Sequence, residues 1–131
     1  MERVKERLDD ALKAIATFEK IVGLKEPTDI ERDAAIQRFE YSFEMAWKAA
    51  QAYLTNQGLT NIVSPRSAIR ASFTVGMFNE ETAEKIMRMV DDRNLTSHTY
   101  REEFAVKLYH SLAGHAALLR SWLTEIQKRI E

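Results

Sequence analysis

Residues 36–48, which read IQRFEYSFEMAWK, decide the fold. In this stretch and just beyond it the apolar side chains recur at steps of three and four, at Ile36, Phe39, Phe43, Trp47, Ala50 and Leu54. That spacing places them along one stripe of an α-helix, whereas a half-buried strand would alternate apolar and polar residues. The stretch therefore predicts a long amphipathic helix that packs its bulky face against other helices.

Further helical segments flank this one on both sides. Towards the N-terminus, a first helix is predicted from a stripe that ends near Gly23: Val4, Leu8, Leu12, Ile15, Phe18 and Val22. We expect Asp29 to cap the central helix and Gly58 to close it. After it, Ser64 and Pro65 predict the start of a short helix that runs to Gly76.

Two more helices complete the pattern. Asn79 is predicted to cap the first of them, with these side chains facing inward: Ala83, Ile86, Met87 and Val90. The inward stripe of the last helix is Phe104, Leu108, Leu112, His115, Leu119, Trp122 and Ile126. Four long helices and a short one, joined by short connections, predict an all-α fold: an antiparallel up-and-down four-helix bundle with an additional short helix. We expect one domain over residues 1–131.

Composition excludes several classes of protein. The chain has 45% hydrophobic and 30% charged residues, and no apolar run approaches the roughly 20 residues needed to cross a bilayer. We therefore expect no membrane contact and, because no apolar signal region follows the charged start, a cytoplasmic location. With no cysteine, disulfides and thiolate chemistry are excluded. Lys plus Arg number 19 against 20 Asp plus Glu, so any RNA contact must be local.

Residues 91–100, DDRNLTSHTY, concentrate the polar chemistry of the chain. If the fourth helix continued through them, Asp91, Asn94 and His98 would share one face, while Arg93 would lie roughly 140° from His98. Unwinding near Ser97 would bring Arg93 and His98 together. Such a pair suits metal-independent RNA cleavage, in which His98 moves a proton and Arg93 grips the phosphate. The alternative is a polar helix end, with Arg93 paired to an acid and His98 as a C-cap.

The other histidines suggest structural roles. His115 lies on the apolar stripe of the last helix, which favours a hydrogen-bonded core histidine. His110 lies on the polar flank and is expected to be solvated. Metal sites in helical bundles use inward carboxylates with Glu-x-x-His pairs, which this chain lacks. We therefore predict no metal site and no cofactor.

Three segments carry a resemblance to a known family: residues 36–48, the run Ser64-Pro65-Arg66, and residues 92–100 with an Arg-x4-His motif that ends His-x-Tyr. The chain resembles the nucleotidyltransferase substrate-binding protein family of the HEPN superfamily over nearly its whole length. The resemblance implies a HEPN-like fold and a homodimer that brings two Arg-x4-His motifs together. It also implies a separately encoded minimal nucleotidyltransferase as partner, since this chain has no Gly-Ser loop followed by paired aspartates.

Two functions follow from the resemblance. In the first, the protein is a binding subunit that presents nucleotide or another substrate to its partner. The residues expected to bind that substrate are Asp91, Arg93, Asn94, Ser97 and His98. In the second, the protein is a ribonuclease toxin with Arg93 and His98 as catalytic residues. Whether the chain is an enzyme stays open at this point.

Tyr100 matches the tyrosine that the partner adenylylates in HepT-type toxins, to which the chain is similar. The alternative is that Tyr100 packs its ring at the start of the last helix and hydrogen-bonds its hydroxyl. We also expect the dimer to form at this end of the bundle, because Met77, Phe78 and Met89 are apolar residues left near it.

Overall fold

The computed structural model describes residues 1–131, and all of its regular structure is helical. The elements are α1 (Glu2–Glu19), α2 (Asp29–Asn56), α3 (Pro65–Thr74), α4 (Glu80–Asn94), a 3-10 turn (Leu95–His98) and α5 (Glu102–Ile130). The predicted helical bundle with a short additional helix is confirmed. None of the helices combines the length and apolar character that a membrane span requires.

The core is built around α2. All members of its predicted stripe are buried, and the rings of Phe18, Phe39 and Phe43 follow one another at centroid separations of 6.0 and 6.2 Å. α1, α2 and α5 pack extensively against one another, while α3 packs on α2 and α4. Deep inside, the Trp122 indole donates to the Ser72 hydroxyl at 3.1 Å, which joins α5 to α3.

Helix caps follow the sequence, with one correction. The predicted caps Ser64 and Asn79 both accept a backbone N–H from the first turn of their helices. At α2, the prediction of Asp29 as the cap is wrong, because Thr28 occupies that position and forms a reciprocal capping box with Glu31. Asp29 is instead the first helical residue, where its charge complements the positive end of the helix dipole.

The apolar residues expected to support a dimer belong to the core of one chain. Met77 and Met89 are buried, and Phe78 packs its ring edge-on against Trp122 at 6.0 Å. The expectation that these side chains were left outside is therefore wrong. Met89 faces inward because it is three residues from Ile86, and therefore on the same face of α4.

Candidate functional site

The last turn of α4 carries Asp91, Asp92 and Arg93. Successive side chains on an α-helix are separated by about 100°, so three consecutive residues point in three directions. Here those directions lead to three different helices: Asp91 to α3, Asp92 to α5 and Arg93 to α2. This turn therefore connects α4 to the rest of the bundle and places Arg93 on its own side of the helix.

Asp91 contacts α3. Its Oδ1 accepts from the Arg66 guanidinium at 2.8 Å, and the same guanidinium lies 3.9 Å from the sulfur of Met87. Both partners of the ion pair are well exposed, so the pair contributes at most about 1 kcal/mol. Asp91 was predicted to bind substrate, but in this structure its carboxylate is occupied by Arg66.

Asp92 contacts α5. Its Oδ2 lies 2.6 Å from Nε2 of His115, and the His115 ring stacks on Phe39 with centroids 5.3 Å apart. The His115 side chain is only 12% exposed. The prediction of a hydrogen-bonded core histidine is thus confirmed, with a partner that sequence spacing alone did not identify.

Arg93 faces α2. Its nearest acid is Glu44, at 4.0 Å, and Glu44 also lies 3.8 Å from Lys48. A separation of 4.0 Å is too long for a hydrogen bond, so the guanidinium is attracted by the carboxylate without being held by it. Arg93 is 34% exposed and makes no side-chain hydrogen bond in the structure. Its planar fork of donors is therefore free for a ligand.

After Asn94 the backbone changes from α-helix to a 3-10 turn. The face that a continuous helix would have given Asp91, Asn94 and His98 therefore does not form. The Thr96 hydroxyl donates to the Arg93 carbonyl at 2.8 Å, and the Thr99 hydroxyl to the Thr96 carbonyl at 3.0 Å. These bonds satisfy carbonyls that the end of a helix leaves without partners.

Ser97 has a similar local role. Its hydroxyl approaches the Asn94 carbonyl at 3.4 Å, a long contact on the exposed side of the turn. Thr96, by contrast, is buried. Ser97 was predicted to bind substrate, and this weak contact leaves its hydroxyl able to turn towards a ligand.

His98 and Asn94 are exposed, and neither side chain makes a hydrogen bond. Leu95 rather than His98 is the C-cap of α4, so the alternative of His98 as a C-cap is wrong. No hydrogen bond joins Arg93 to His98 within one chain, so each group keeps its hydrogen-bonding capacity for a ligand.

Tyr100 lies beside His98, with ring centroids 6.3 Å apart. Its side chain does not pack as the alternative required: the residue is 77% exposed and its hydroxyl has no hydrogen-bond partner. It borders a small cleft of about 210 Å³ against the first half of α2, where Asp33 and Glu40 supply acidic walls. The phenol is therefore accessible from solvent.

Sequence reasoning missed Glu44 as a neighbour of the motif and Asp92 as the partner of His115. Glu44 lies four residues before Lys48 on α2 and 3.8 Å from it, whereas its approach to Arg93 depends on how α4 crosses α2. The position of His115 on an apolar stripe indicated a buried partner without naming it. The structure contains no cluster of three or more His, Asp or Glu side chains arranged to hold a metal ion.

Comparisons with known proteins agree with this architecture. The crystal structure of a protein from Thermus thermophilus is similar to this chain, with a TM-score of 0.85 and 45% sequence identity over 89% of this chain and 98% of that one. Among curated proteins, none matches. A family model described as "Nucleotidyltransferase substrate binding protein like" matches residues 6–128, which confirms the resemblance inferred from the motifs. Because this match spans nearly the whole sequence, the chain belongs to the nucleotidyltransferase substrate-binding protein-like family.

Proposed function

We propose that the protein is the substrate-binding or nucleotide-binding subunit of a separately encoded minimal nucleotidyltransferase, with Arg93 as the principal ligand contact. The description of the family supports a nucleotidyltransferase partner. The observation that carries the site is the state of Arg93: half-buried, next to an acid at 4.0 Å, and free of hydrogen bonds.

The surroundings of Arg93 suit a phosphate-bearing ligand. A guanidinium offers two parallel N–H donors to a phosphate, and a contact of that kind is stronger than the loose attraction to Glu44 that it would replace. Asn94 follows directly, His98 is five residues after Arg93, and both have unused hydrogen-bonding groups. A ligand on Arg93 can therefore gain further contacts without breaking any hydrogen bond within the protein.

We further propose that two copies of the chain form this site together. Within one chain no hydrogen bond joins Arg93 to His98, and in a dimer formed at this end of the bundle the two copies of the motif would line one cleft. Three exposed apolar or aromatic residues lie at this end of the bundle, and a dimer interface there would bury them: Leu95, Tyr100 and Val106. Sedimentation equilibrium at tens of micromolar should give a dimer, and Leu95→Glu should shift it to monomer; a monomeric native protein would contradict this assembly.

Substitution of Arg93 tests the site. Arg93→Lys keeps the charge and removes the planar fork, so the affinity of the protein for ATP, measured by calorimetry with the cognate nucleotidyltransferase present, should fall by about tenfold or more. Arg70→Lys is the matched control, because Arg70 is an exposed arginine on α3 without an ion pair. Equal affinity in the Arg93 and Arg70 variants would remove Arg93 from the site.

A second candidate function is a metal-independent ribonuclease, and the unpaired His98 imidazole favours it. In this reaction a ribose 2′-oxygen loses its proton to a base and attacks the adjacent phosphorus. The bond to the 5′-oxygen then breaks, that oxygen takes up a proton, and a cyclic phosphate remains. The purified protein should then cut RNA in EDTA and spare DNA, which lacks the 2′-hydroxyl.

The histidines provide a matched pair of variants for this activity. His98→Ala should lower the cleavage rate on the order of 10² to 10⁴, since a positioned general acid or base contributes about that much. His110→Ala should leave the rate unchanged, because His110 is exposed on α5 outside the motif. Absence of cleavage by unmodified native protein would leave the binding subunit as the function.

Control by adenylylation accompanies the ribonuclease function. The exposed Tyr100 hydroxyl would attack the α-phosphorus of ATP on the partner enzyme, lose its proton and release pyrophosphate, and the attached AMP would cover His98. Mass spectrometry after co-expression with the active nucleotidyltransferase should find AMP on Tyr100 and none on Tyr109, which is buried. An unmodified Tyr100 peptide from the same sample would exclude this control.

A further inference from the structure

A groove of about 590 Å³ lies between α4 and α5, next to the Asp92–His115 contact. Its volume falls within the range of small-molecule sites, roughly 300–1,000 Å³. Its principal lining residues are Lys85, Arg88 and Asp92 from α4, and Ser111, Gly114 and His115 from α5. The groove is on the α5 side of α4, whereas Arg93 faces α2. It is therefore separate from the site proposed above.

Two cations, Lys85 and Arg88, line the α4 side of the groove. Arg88 has neither an ion pair nor a side-chain hydrogen bond, and Lys85 pairs only with the exposed Glu81 at 3.5 Å. Asp92 is the carboxylate in the lining, and His115 already engages it at 2.6 Å. An anionic group entering the groove would thus meet Arg88, which has no acidic partner, and Lys85, which it would share with Glu81, while Asp92 is already engaged by His115.

Gly114 holds the α5 wall open. It lies in the middle of a long helix, and a Cβ built there would meet nothing within 4 Å. Glycine inside a helix is less stable than alanine by about 0.5–1 kcal/mol. No neighbouring atom of this chain would clash with a side chain at position 114, so packing does not explain the glycine. Ser111, Gly114 and Ala117 follow one another at steps of three along α5, so this wall carries small residues, with a hydroxyl at one end and Leu118 at the other.

From these features we propose that the groove is a binding site for an organic phosphate with a flat ring, in the size class of a nucleoside phosphate. Arg88 and Lys85 hold the phosphate, with the Ser111 hydroxyl as a further donor. The ring lies along the wall of Gly114 and Leu118. This inference does not depend on the proposed function, because neither Arg93 nor the partner enzyme takes part.

Calorimetry on the isolated protein, without the nucleotidyltransferase, tests the phosphate half of the site. ADP is the probe, and Arg88→Gln should weaken its binding by about tenfold or more, the usual loss for a charge-assisted hydrogen bond. Arg70→Gln should leave the affinity unchanged. Adenosine and inorganic phosphate should each bind more weakly than ADP, because adenosine lacks the phosphate groups and inorganic phosphate lacks the ring.

Gly114→Leu tests the ring half of the site independently. The new side chain would extend into the open groove, so the protein should stay folded, with an unchanged or higher melting temperature, and lose ADP binding. Gly114→Ala, which adds only a methyl group, should keep the fold and weaken binding less.

Three results would overturn the proposal. The first is the absence of ADP binding to the native protein at millimolar concentration. The second is native-like binding by a folded Gly114→Leu variant. The third is a loss of ADP affinity in Arg93→Lys as large as that in Arg88→Gln, which would place the ligand near Arg93. The function proposed above is tested separately, by ATP binding with the nucleotidyltransferase present.

Discussion

The last turn of α4 and the 3-10 turn that follows it are adjacent in sequence and both contain several polar residues, yet their side chains differ in whether they are bonded within the protein. In the α4 turn, Asp91 and Asp92 are held by partners on α3 and α5 at 2.8 and 2.6 Å. In the 3-10 turn and just after it, His98 and Tyr100 have no hydrogen-bond partner. Arg93 stands between the two classes, near an acid but not bonded to it.

The polar motif therefore contains two kinds of side chain: anchors, which are bonded to another helix (Asp91 and Asp92), and free groups, which have no partner within the protein (His98 and Tyr100). The anchors fix the position of the helix end, and the free groups keep their donors and acceptors for a ligand. A free polar group on the surface costs little because water satisfies it, whereas a buried polar group must have a partner. Burial therefore accounts for the Asp92–His115 anchor, whereas the exposed Asp91 is held by Arg66 although water could satisfy its carboxylate.

The largest expected effect comes from removing the buried anchor. His115→Ala deletes a ring packed on Phe39 and leaves Asp92 without its partner, so the free energy of unfolding should fall by about 2–4 kcal/mol. His98→Ala should change it by less than about 0.5 kcal/mol. Urea denaturation of both variants measures the contrast, and similar losses would mean that the two histidines do not differ in role.

Two tyrosines extend the comparison. The Tyr109 hydroxyl donates to the Ile21 carbonyl at 3.2 Å and accepts from the Leu24 amide at 3.0 Å, whereas the Tyr100 hydroxyl has no partner. Tyr109→Phe should destabilise the fold by about 1–2 kcal/mol, because two hydrogen bonds are lost at a partly buried site. Tyr100→Phe should leave the stability unchanged. Thermal denaturation of both variants measures the difference. Marked destabilisation by Tyr100→Phe would show that its hydroxyl has a structural partner.

The hydroxyls of the 3-10 turn give a smaller contrast. Thr96→Val keeps the shape of a buried side chain and removes its bond to the Arg93 carbonyl, so a loss of about 1 kcal/mol is expected. Ser97→Ala removes only a long, exposed contact and should change stability by less than half of that. Chemical denaturation decides, and equal losses would contradict the division of the turn into a buried and an exposed side.

A small effect is also expected at a surface ion pair, Glu19–Arg120, which contrasts with the half-buried Asp92–His115 contact. Hydrogen bonds from Arg120 hold the pKa of the Glu19 carboxyl below its ordinary value, although partial burial acts in the opposite direction. The pair joins α1 to α5, and both side chains are more than a third exposed, so solvent screens it. Arg120→Gln should therefore cost at most about 1 kcal/mol near neutral pH.

The pH dependence of that variant has a definite sign. Because the pKa of Glu19 is lower in the folded state, the stabilisation is complete above the ordinary carboxyl range and is lost as the pH falls through the folded-state pKa. The difference between native protein and Arg120→Gln should shrink below about pH 4. A difference that grows on acidification would exclude Glu19 as its source.

Much of this protein was determined by its sequence alone. The stripe on α2, the caps Ser64 and Asn79, and the buried character of His115 follow from local rules, since helix periodicity and capping depend on residues within one or two turns. The resemblance to the family also came from short motifs that can be identified in the sequence without a structure, and the family model confirms it. Asp29 was misassigned because Thr28 and Glu31 form a better, reciprocal cap.

Only the tertiary structure decided which polar residues are anchors and which are free. Arg66, Glu44 and His115 come from three helices distant in sequence, and their contacts with the end of α4 depend on how that helix crosses each of them. The burial of Met77 and Met89 was decided in the same way, by the packing of α3, α4 and α5 around them. Sequence spacing specifies the face of a helix on which a side chain lies, but the identity of the group opposite that face is set by packing between helices.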